Sequence, residues 1–432
     1  MKICGWGRYP QIESEGLHFE TRNQLCSSLE KCAECIVYAR GRSYGDSALN
    51  ERVIFTDRFD KFLMFDRTKG ILSCESGVTI AEIIEAFLPR GWFVCVTPGT
   101  KFVSIGGAIA SDVHGKNHHK AGCFSECVIS FYLMLPGGDI VRCSREENPE
   151  LFHATCGGMG LTGIILEATI RLQPVRSAYI REKVIRCENL EEVLDQFEKN
   201  CEVPYSVAWI DCLAKGDDQG RSVLMLGEHA DSGNLSAALE RQISMPFNSP
   251  AFLINKSTVS IFNHLYYQKQ QACVDGRLTS INTFFYPLDR IGHWNRMYGS
   301  KGFTQFQLVM PKEAGKKGLS TILDRISVAG LGSFLAVLKL LGPGNTNDLS
   351  FPMEGYTLAL DFKIQQELFP LLDELDRIVL NYGGRSYLTK DVRMSKEVFR
   401  MGYPKWEKFS EIRERYRMNR KFNSLQSRRL GV

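Results

Sequence analysis

The chain has 432 residues, and a typical domain size of about 100–200 residues favours two or three domains. Hydrophobic residues make up 44% and charged residues 24%, the balance of an ordinary globular protein. The formal net charge is only +4, which argues against nucleic-acid binding, because that function needs basic residues concentrated on one face. The one basic concentration runs from Arg413 to Arg429; it predicts either a solvated helix face or contact with an anionic ligand or a membrane surface.

Targeting and membrane-spanning signals are weak. Lys2 is not followed by the apolar run of about 7–15 residues that a signal peptide needs. No segment approaches the roughly 18 apolar residues of a spanning helix, and the apolar run 334–341 is interrupted by Lys339. We therefore expect a cytoplasmic protein.

Fourteen cysteines raise the question of disulfides or metal binding. Cys32 and Cys35 form a C-x-x-C pair, but no second pair stands at zinc-site spacing. Others, such as Cys95 and Cys156, occur singly inside apolar runs, where a free thiol behaves as a small hydrophobic group. We expect reduced, structural cysteines and no metal site.

The first 175 residues alternate short apolar runs with glycine-rich breaks. Helical spacing of Ile80, Ile83, Ile84 and Phe87 predicts a helix over 79–88, closed by Gly91. Strands are predicted at 35–39, 71–76, 93–96 and 163–172, with a hairpin at 128–135 and 138–143. This order of elements predicts a mixed α+β domain.

The composition shifts after Pro174. Strands are predicted at 206–211, 223–226, 303–309 and 356–362, and the clearest helix spans 368–382 before Gly383. The segment 262–302 is rich in Tyr, Gln, Asn and Gly without clear periodicity, which predicts a long, mobile surface loop.

Three glycine-rich segments in the first 175 residues are candidates for phosphate binding. They are 40–47, then Pro98-Gly99-Thr100 leading into 104–108, and 156–163. Glycine lets backbone N–H groups converge on a phosphate, although each segment alone is also explained as a structural turn. None fits G-x-x-x-x-G-K-[ST], so an NTPase is disfavoured. Together the segments indicate a phosphate-containing cofactor.

The motifs at 41–46, 106–119 and 157–164 resemble those of FAD-binding oxidases of the vanillyl-alcohol oxidase class. Within this class they are most similar to the decaprenylphosphoryl-ribose 2-oxidases, a similarity shared by 5–8, 205–209, 349–352 and 390–393. The resemblance implies an α+β fold with a two-subdomain FAD-binding domain formed by residues 1–175. A substrate domain with an antiparallel sheet, residues 176–385, is inserted, and residues 386–432 return to the FAD-binding domain.

The resemblance also implies a set of FAD contacts. The residues concerned are Gly41, Arg42, Ser43, Tyr44, Gly45, Asp46, Ser47, Pro98, Gly99, Thr100, Ser104, Ile105, Gly106, Gly107, Ala110, His114, Gly115, Asn117, Gly157, Gly160, Thr162, Gly163 and Ile164. Many relatives link the flavin covalently through a histidine of the first glycine loop. Here that loop carries Tyr44 and neither His nor Cys, so non-covalent FAD is expected, with His114 as the one other candidate for a link.

Alcohol oxidation by a flavin needs a C–H bond directed at the flavin and a group that takes the hydroxyl proton. Lys390 is the first catalytic candidate, because its segment resembles the active-site lysine motif of the family. His114 and Tyr44 follow; the alternatives are a surface lysine and a turn histidine that caps backbone groups. His118 and His119 are interpreted as structural or close to a phosphate.

Substrate binding is assigned by resemblance to Gln305, Gln307, Lys339 and Tyr387, together with Lys390. Strand alternation places Gln305 and Gln307 on one face, which suits paired hydrogen bonds to sugar hydroxyls; two solvent-facing side chains are the alternative. The chain departs from the mycobacterial-type pattern at one position of the pocket. It has Ala359 where the mycobacterial-type enzymes have a reactive cysteine.

The resemblance implies oxidation of the 2-hydroxyl of a polyprenyl-phosphoryl ribose to a 2-keto sugar, the first half of an epimerisation to the arabinose form. A short-chain NAD(P)H reductase would act on the keto product, quinone or oxygen would accept the electrons, and the lipid would bring peripheral membrane contact. Two alternatives stay open: a flavin oxidase of a soluble polyol, an aldonolactone or another glycosyl carrier, and a non-catalytic flavin-binding partner protein. Polyol and lactone oxidases of this class often carry a histidine-tryptophan pair near the C-terminus. Here Trp406 follows Pro404-Lys405, which weakens the first alternative.

Overall fold

The computed structural model describes residues 1–236, 243–250, 253–270 and 272–432. The strands are β1 (Lys2–Cys4), β2 (Gln11–Glu13), β3 (Glu15–Leu17), β4 (Ile36–Tyr38), β5 (Arg52–Phe55), β6 (Phe62–Asp66), β7 (Ile71–Glu75), β8 (Trp92–Val94), β9 (Val128–Met134), β10 (Ile140–Ser144), β11 (Ile164–Pro174), β12 (Tyr179–Cys187), β13 (Tyr205–Ile210), β14 (Ser222–His229), β15 (Ile243–Ser244), β16 (Cys273–Ser280), β17 (Ile291–Gly292), β18 (Phe303–Pro311), β19 (Ala336–Leu341), β20 (Gly355–Lys363) and β21 (Arg385–Ser386). The helices are α1 (Arg22–Lys31), α2 (Ile80–Phe87), α3 (Ile105–Ala110), α4 (His118–Ala121), α5 (Pro149–Thr155), α6 (Leu190–Lys199), α7 (Lys256–Lys269), α8 (Ile281–Phe285), α9 (Gly315–Ala329), α10 (Leu368–Asn381), α11 (Lys396–Gly402), α12 (Trp406–Arg415) and α13 (Leu425–Leu430).

Two large antiparallel sheets dominate the fold. One has the strand order β10-β9-β11-β7-β6, with β8 also paired to β11. The other has eight strands in the order β16-β12-β14-β13-β19-β20-β18-β21. A small parallel sheet, β3-β5-β4, lies near the N-terminus. The predicted α+β class is confirmed.

The hydrophobic side chains form two main cores. The larger one joins the first 180 residues to the C-terminal helices, so that Ile36 shares a core with Phe409 and Phe422. The smaller one lies between the eight-stranded sheet and helices α6, α9 and α10. The two chain ends are thus part of one packed unit.

Helix α2 shows why the regular elements could be predicted from the sequence. Thr79 caps the helix by accepting a hydrogen bond from the Glu82 amide, while the Glu82 carboxylate accepts one from the Thr79 amide. Ile80, Ile83 and Ile84 are buried on one face, as the spacing predicts. The predicted hairpin at 128–143 is likewise present as β9 and β10.

The prediction of a long loop over 262–302 is wrong for the residues that the structure describes there. They form the end of α7, then β16, α8, β17 and two 3-10 helices, Pro287–Arg290 and Trp294–Tyr298; residue 271 lies outside the described residues. The helical pattern was hidden because α7 buries Asn263 and exposes Ile261, Phe262 and Leu265.

Two further expectations are corrected. Residues 104–108, interpreted as part of a glycine loop, enter helix α3, which Ser104 caps by accepting a hydrogen bond from the Gly107 amide at 3.2 Å. The basic segment from Arg413 to Arg429 is not simply a solvated face. Arg413 is fully buried and donates to the Leu161 and Phe422 carbonyls, and Arg429 pairs with two aspartates.

The fourteen cysteines are all free thiols, nine of them buried. Across the described ranges, no three His, Cys, Asp or Glu side chains converge as metal ligands. Within those same ranges, no helix has both the length and the apolar character needed to cross a membrane.

Candidate active site

The three glycine segments meet at one place in the fold. The third segment contacts the end of α3, because the Gly157 and Met159 amides donate to the Ile109 and Ala110 carbonyls at 3.0 and 2.8 Å. The first segment contacts the chain just before Lys390, since the Tyr44 amide donates to the Thr389 carbonyl at 3.1 Å. Residues distant in sequence are therefore brought to a single site.

The first glycine loop, residues 41–47, is held by close backbone packing and by charge. Gly41 has φ +59°, and a Cβ at Gly45 would lie 1.6 Å from the Asp391 carbonyl oxygen, so that position tolerates only glycine. Arg429 bridges Asp46 and Asp391 at 2.8 and 2.9 Å. This double ion pair fastens the loop to the segment that carries Lys390.

The second segment combines close packing on one side with open space on the other. A Cβ at Gly106 would lie 3.0 Å from the Ser76 side chain, whereas one at Gly99 would meet no atom within 4 Å. Backbone open on one side and supported on the other is the shape of a cradle for a flat, polar cofactor.

Buried polar atoms without partners test whether FAD fits this cradle. Across the described residues, they include Arg40 Nε, Arg42 Nε and Ser76 Oγ. Such atoms are rare in folded proteins and indicate a ligand or water that completes their hydrogen bonds. Because they occur on or beside the predicted FAD-binding segments, the residues present fit FAD.

Not every predicted FAD residue offers its side chain. The Asn117 side chain donates to the Cys95 carbonyl at 2.8 Å, and the Thr162 hydroxyl lies 2.9 Å from that of Thr155. Ile105 and Ile164 are fully buried in the core. These four side chains are therefore already hydrogen-bonded within the protein or enclosed in its core.

His114 is buried where the cradle meets the eight-stranded sheet. Its Nε2 lies 3.0 Å from the amide nitrogen of Gln307, and its ring packs against Phe351 and Tyr387. Burial, with added repulsion from Lys339, holds the pKa of His114 well below its usual range. The imidazole is therefore neutral at pH 7, with Nδ1 facing no protein partner in the described part of the chain.

Lys390 ends a short 3-10 helix, Leu388–Lys390, directly after β21. Its Nζ lies 3.8 Å from the centroid of the Tyr44 ring, and that ring packs edge-on against Phe303. Burial lowers the pKa of Lys390 to about 7, opposed by the charge of Asp361. A lysine with this pKa exchanges its proton readily near neutral pH.

Asp361 on β20 is a buried carboxyl that the sequence analysis missed. It accepts hydrogen bonds from the Gln305 amide at 2.6 Å and the Tyr298 hydroxyl at 3.2 Å. Burial raises the pKa of Asp361 to about 7, and Lys390 opposes this shift. The available signal was a carboxylate in the otherwise apolar run 358–362.

Two further lysines give the site a positive character. Burial lowers the pKa of Lys339 to about 8. Burial and the charge of Lys339 lower the pKa of Lys116 to about 7, and its Nζ donates to the Phe284 carbonyl. Lys116 lies within the motif at 106–119, but no role was predicted for it from the sequence.

Gln307 and Tyr387 complete the wall around His114. Gln307 is buried and also donates to the Thr357 hydroxyl at 3.1 Å, and Gln305 is half-buried, so the solvent-facing alternative is wrong. The Tyr387 hydroxyl donates to the Ser111 carbonyl at 2.8 Å, and its ring stacks on Phe351. Ala359 stands opposite Gln307 in the β18–β20 register, so the cysteine of the mycobacterial-type pattern would lie beside this glutamine.

Asp112, also missed from the sequence, holds the turn after α3. Its carboxylate accepts hydrogen bonds from the Asn345 and Asn347 amides and from the Ser350 hydroxyl, at 2.7 to 2.8 Å. The same carboxylate accepts from the Ser125 amide at 3.0 Å. Asp112 thereby joins the segment before His114 to the loop between β19 and β20.

Comparison with known proteins agrees with this geometry. A family model described as an FAD binding domain matches residues 19–144. The chain is 35% identical to the decaprenylphosphoryl-β-D-ribose oxidase of Mycolicibacterium smegmatis, over 100% of this chain and 97% of that protein. It is 30% identical to an uncharacterised protein of Streptomyces coelicolor, over 82% of this chain and 100% of that one.

A more limited similarity covers only part of the chain. The D-arabinono-1,4-lactone oxidase of Yarrowia lipolytica is 29% identical over 31% of this chain and 26% of its own length. The full-length similarity, in contrast, includes both the glycine segments and the region around Lys390. The chain therefore belongs to the family of decaprenylphosphoryl-β-D-ribose oxidase, and it is an FAD-binding oxidoreductase.

Proposed function

We propose that this enzyme oxidises the 2-hydroxyl of a ribosyl unit carried on a polyprenyl phosphate, giving a 2-keto sugar. The observation that carries the proposal is the position of Lys339 and Lys390 near a neutral His114, with Lys116 close to Lys339. Lys339 lowers the pKa of both other lysines, and like charges held so close together in a partly buried site are costly in a protein without an anionic partner. A phosphate on the substrate supplies that partner, whereas a neutral polyol or lactone does not.

The residues divide between binding and proton transfer. Lys339 binds the phosphate as an ammonium group, and Gln305 and Gln307 bind sugar hydroxyls. Lys390 in its neutral form takes the hydroxyl proton at Nζ, a role that fits its pKa of about 7. Bound FAD supplies the acceptor for the hydride that leaves the carbon. His114, held at Nε2 by Gln307, orients the sugar from its free Nδ1.

FAD is held without a covalent bond in this proposal. The first glycine loop places Tyr44 against Lys390 and Phe303, and it contains no histidine or cysteine. The domain arrangement proposed is 1–175 with 386–432 as the FAD-binding domain, and 176–385 as the substrate domain. The smaller core, whose buried members all lie between Cys187 and Val379, supports this division.

The remaining steps involve partners outside the chain. Electrons pass to a quinone or to oxygen, and a short-chain NAD(P)H reductase converts the keto product to the arabinose form. We place the reaction in the cytoplasm, at a membrane that contains the lipid substrate.

Anaerobic mixing with a polyprenyl-phosphoryl ribose tests the function directly. Bleaching of the visible flavin absorption establishes the substrate class. A yellow protein that stays oxidised with this lipid but bleaches with a polyol, an aldonolactone or another glycoside would exclude the ribosyl substrate. No bleaching with any of them favours a flavin-binding protein without turnover.

A further inference from the structure

Helix α7 exposes apolar side chains that no described part of the protein covers. Ile261, Phe262 and Leu265 are 61%, 45% and 61% exposed. Leu265 lies four positions after Ile261 and three after Phe262, which places the three side chains on one side of the helix. The buried residues of α7, Val259, Asn263 and Tyr267, face the protein. We call Ile261, Phe262 and Leu265 the α7 patch.

The α7 patch belongs to an unusually apolar stretch of surface. The described residues contain fifteen exposed large hydrophobic side chains, and seven of them fall between positions 243 and 278. The seven are Ile243, Phe247, Leu253, Ile261, Phe262, Leu265 and Leu278. Single exposed apolar residues are ordinary, but a concentration of this kind indicates an interaction surface.

The same stretch carries the excess positive charge of the chain. Residues 243–301 contain six Lys or Arg and two Asp, a net charge of +4, which equals the net charge of all 432 residues. Helix α7 has a lysine at each end, Lys256 and Lys269, and no acidic residue. Apolar side chains between basic ends are typical of helices that lie in the interface of an anionic membrane.

Aromatic contacts connect the α7 patch to the candidate active site. Phe262 contacts Phe334 at 5.8 Å between ring centroids, Phe334 stacks on Tyr298 at 5.5 Å, and Tyr298 stacks on Phe303 at 4.2 Å. Phe303 in turn contacts the Tyr44 ring, over which Lys390 lies. A continuous series of ring contacts, buried at Tyr298 and Phe303, therefore connects the exposed helix to the site.

We propose that the α7 patch is a membrane-docking surface that lies in the interface of an anionic bilayer. Docking there holds the site close to the leaflet and so favours delivery of a lipid-linked substrate to it. The second statement rests on the proposed function, whereas docking itself does not. Basic residues attract the anionic headgroups, and the α7 patch enters the acyl boundary.

The test uses the full, FAD-loaded chain in flotation with vesicles of phosphatidylcholine alone or with 30% phosphatidylglycerol. We expect binding to the anionic vesicles, reduced at least tenfold in the double variant I261Q/L265Q. The matched control is V328Q/M401Q, which changes two helix residues that are 67% and 70% exposed elsewhere, and it should bind as the parent does. Thermal melting should show that both double variants are folded.

Three outcomes would overturn the proposal: no vesicle binding by the parent chain, equal losses in both double variants, or unchanged binding in I261Q/L265Q. A concentration-dependent dimer in sedimentation that I261Q/L265Q abolishes, with no vesicle binding, would assign the surface to a second copy of the chain instead.

A second measurement separates docking from catalysis. I261Q/L265Q should be reduced normally by a short-chain, water-soluble polyprenyl-phosphoryl ribose, but at least tenfold more slowly by the long-chain lipid in vesicles. If no ribosyl lipid reduces the parent enzyme, the proposed function fails while the vesicle result still decides docking. Equal rates of the parent and I261Q/L265Q with vesicle-bound substrate would reject the delivery route.

Discussion

Lys390 Nζ lies 3.8 Å from the centroid of the Tyr44 ring, which joins the first glycine loop to the segment that follows β21. The aromatic face stabilises the ammonium form of the lysine, while burial favours the neutral form. Asp361 opposes the effect of burial, and the result is a pKa of about 7. The lysine is therefore poised between its two protonation states at the pH of a cell.

Replacing Lys390 with Met should abolish most of the flavin reduction and leave FAD bound. A positioned general base contributes about 100-fold or more to a rate, so we expect at least that loss in the anaerobic reduction rate constant. Tyr44→Phe is the matched control, because it keeps the ring beneath Nζ and should lose much less. Undiminished reduction in Lys390→Met would remove this lysine from the mechanism.

The pH dependence should separate Lys390 from Lys339. Lys390 acts without its proton, so the reduction rate constant should rise as the pH increases through about 7. Lys339 acts as a cation, so the Kd for substrate should increase as the pH rises above about 8. Lys339→Met should weaken substrate binding at pH 7 and remove the rise of Kd above about pH 8. The rise of the reduction rate constant through about pH 7 should remain in this variant. Stopped-flow measurements from pH 6 to 9 give both constants separately.

Asp361→Asn should shift the rise in the reduction rate constant, expected near pH 7 in the parent enzyme, to more acidic pH. The carboxylate raises the pKa of Lys390, so its removal lets the lysine lose its proton at lower pH. At pH 6 the rate constant of flavin reduction should then be a larger fraction of its high-pH value in the variant than in the parent enzyme. An unchanged midpoint, with FAD still bound, would contradict electrostatic control of Lys390 by Asp361.

The sequence predicted the elements whose local signals agree with the fold. Helix α2 has its cap and its apolar face in the expected places, and Gly45 and Gly158 of the glycine segments lie where close packing demands glycine. Helix α7 was missed because its apolar residues face outward and Asn263 faces inward, which reverses the usual pattern. Asp361 and Asp112 were missed because their partners, such as Gln305 and Asn347, are distant in sequence.

Arg429→Met should weaken FAD binding without changing which sugar is oxidised. Arg429 holds Asp46 of the first glycine loop and Asp391 together, and its loss leaves the buried Asp46 carboxylate without this cation, whereas Asp391 keeps the Arg393 and Met394 amides. We expect the Kd for FAD to rise about tenfold, which corresponds to about 1.4 kcal/mol. Arg428→Met is the control, because Arg428 pairs with Glu34, a residue outside the predicted FAD set. Fluorescence titration of apoprotein with FAD measures the difference.

Asp112→Ala tests whether the turn before His114 depends on a single buried carboxylate. The substitution leaves the Asn345, Asn347 and Ser350 donors without their acceptor in a buried site. Each buried unpaired polar group costs about 1–3 kcal/mol, so the free energy of unfolding should fall by about 3 kcal/mol or more. Asp217→Ala, at an exposed position, should change it by less than about 0.5 kcal/mol. Urea unfolding of the apoproteins compares the two without the contribution of FAD. A loss in Asp112→Ala no larger than in Asp217→Ala would mean that ordered water replaces the carboxylate, and that His114 is positioned by Gln307 and the rings of Phe351 and Tyr387 alone.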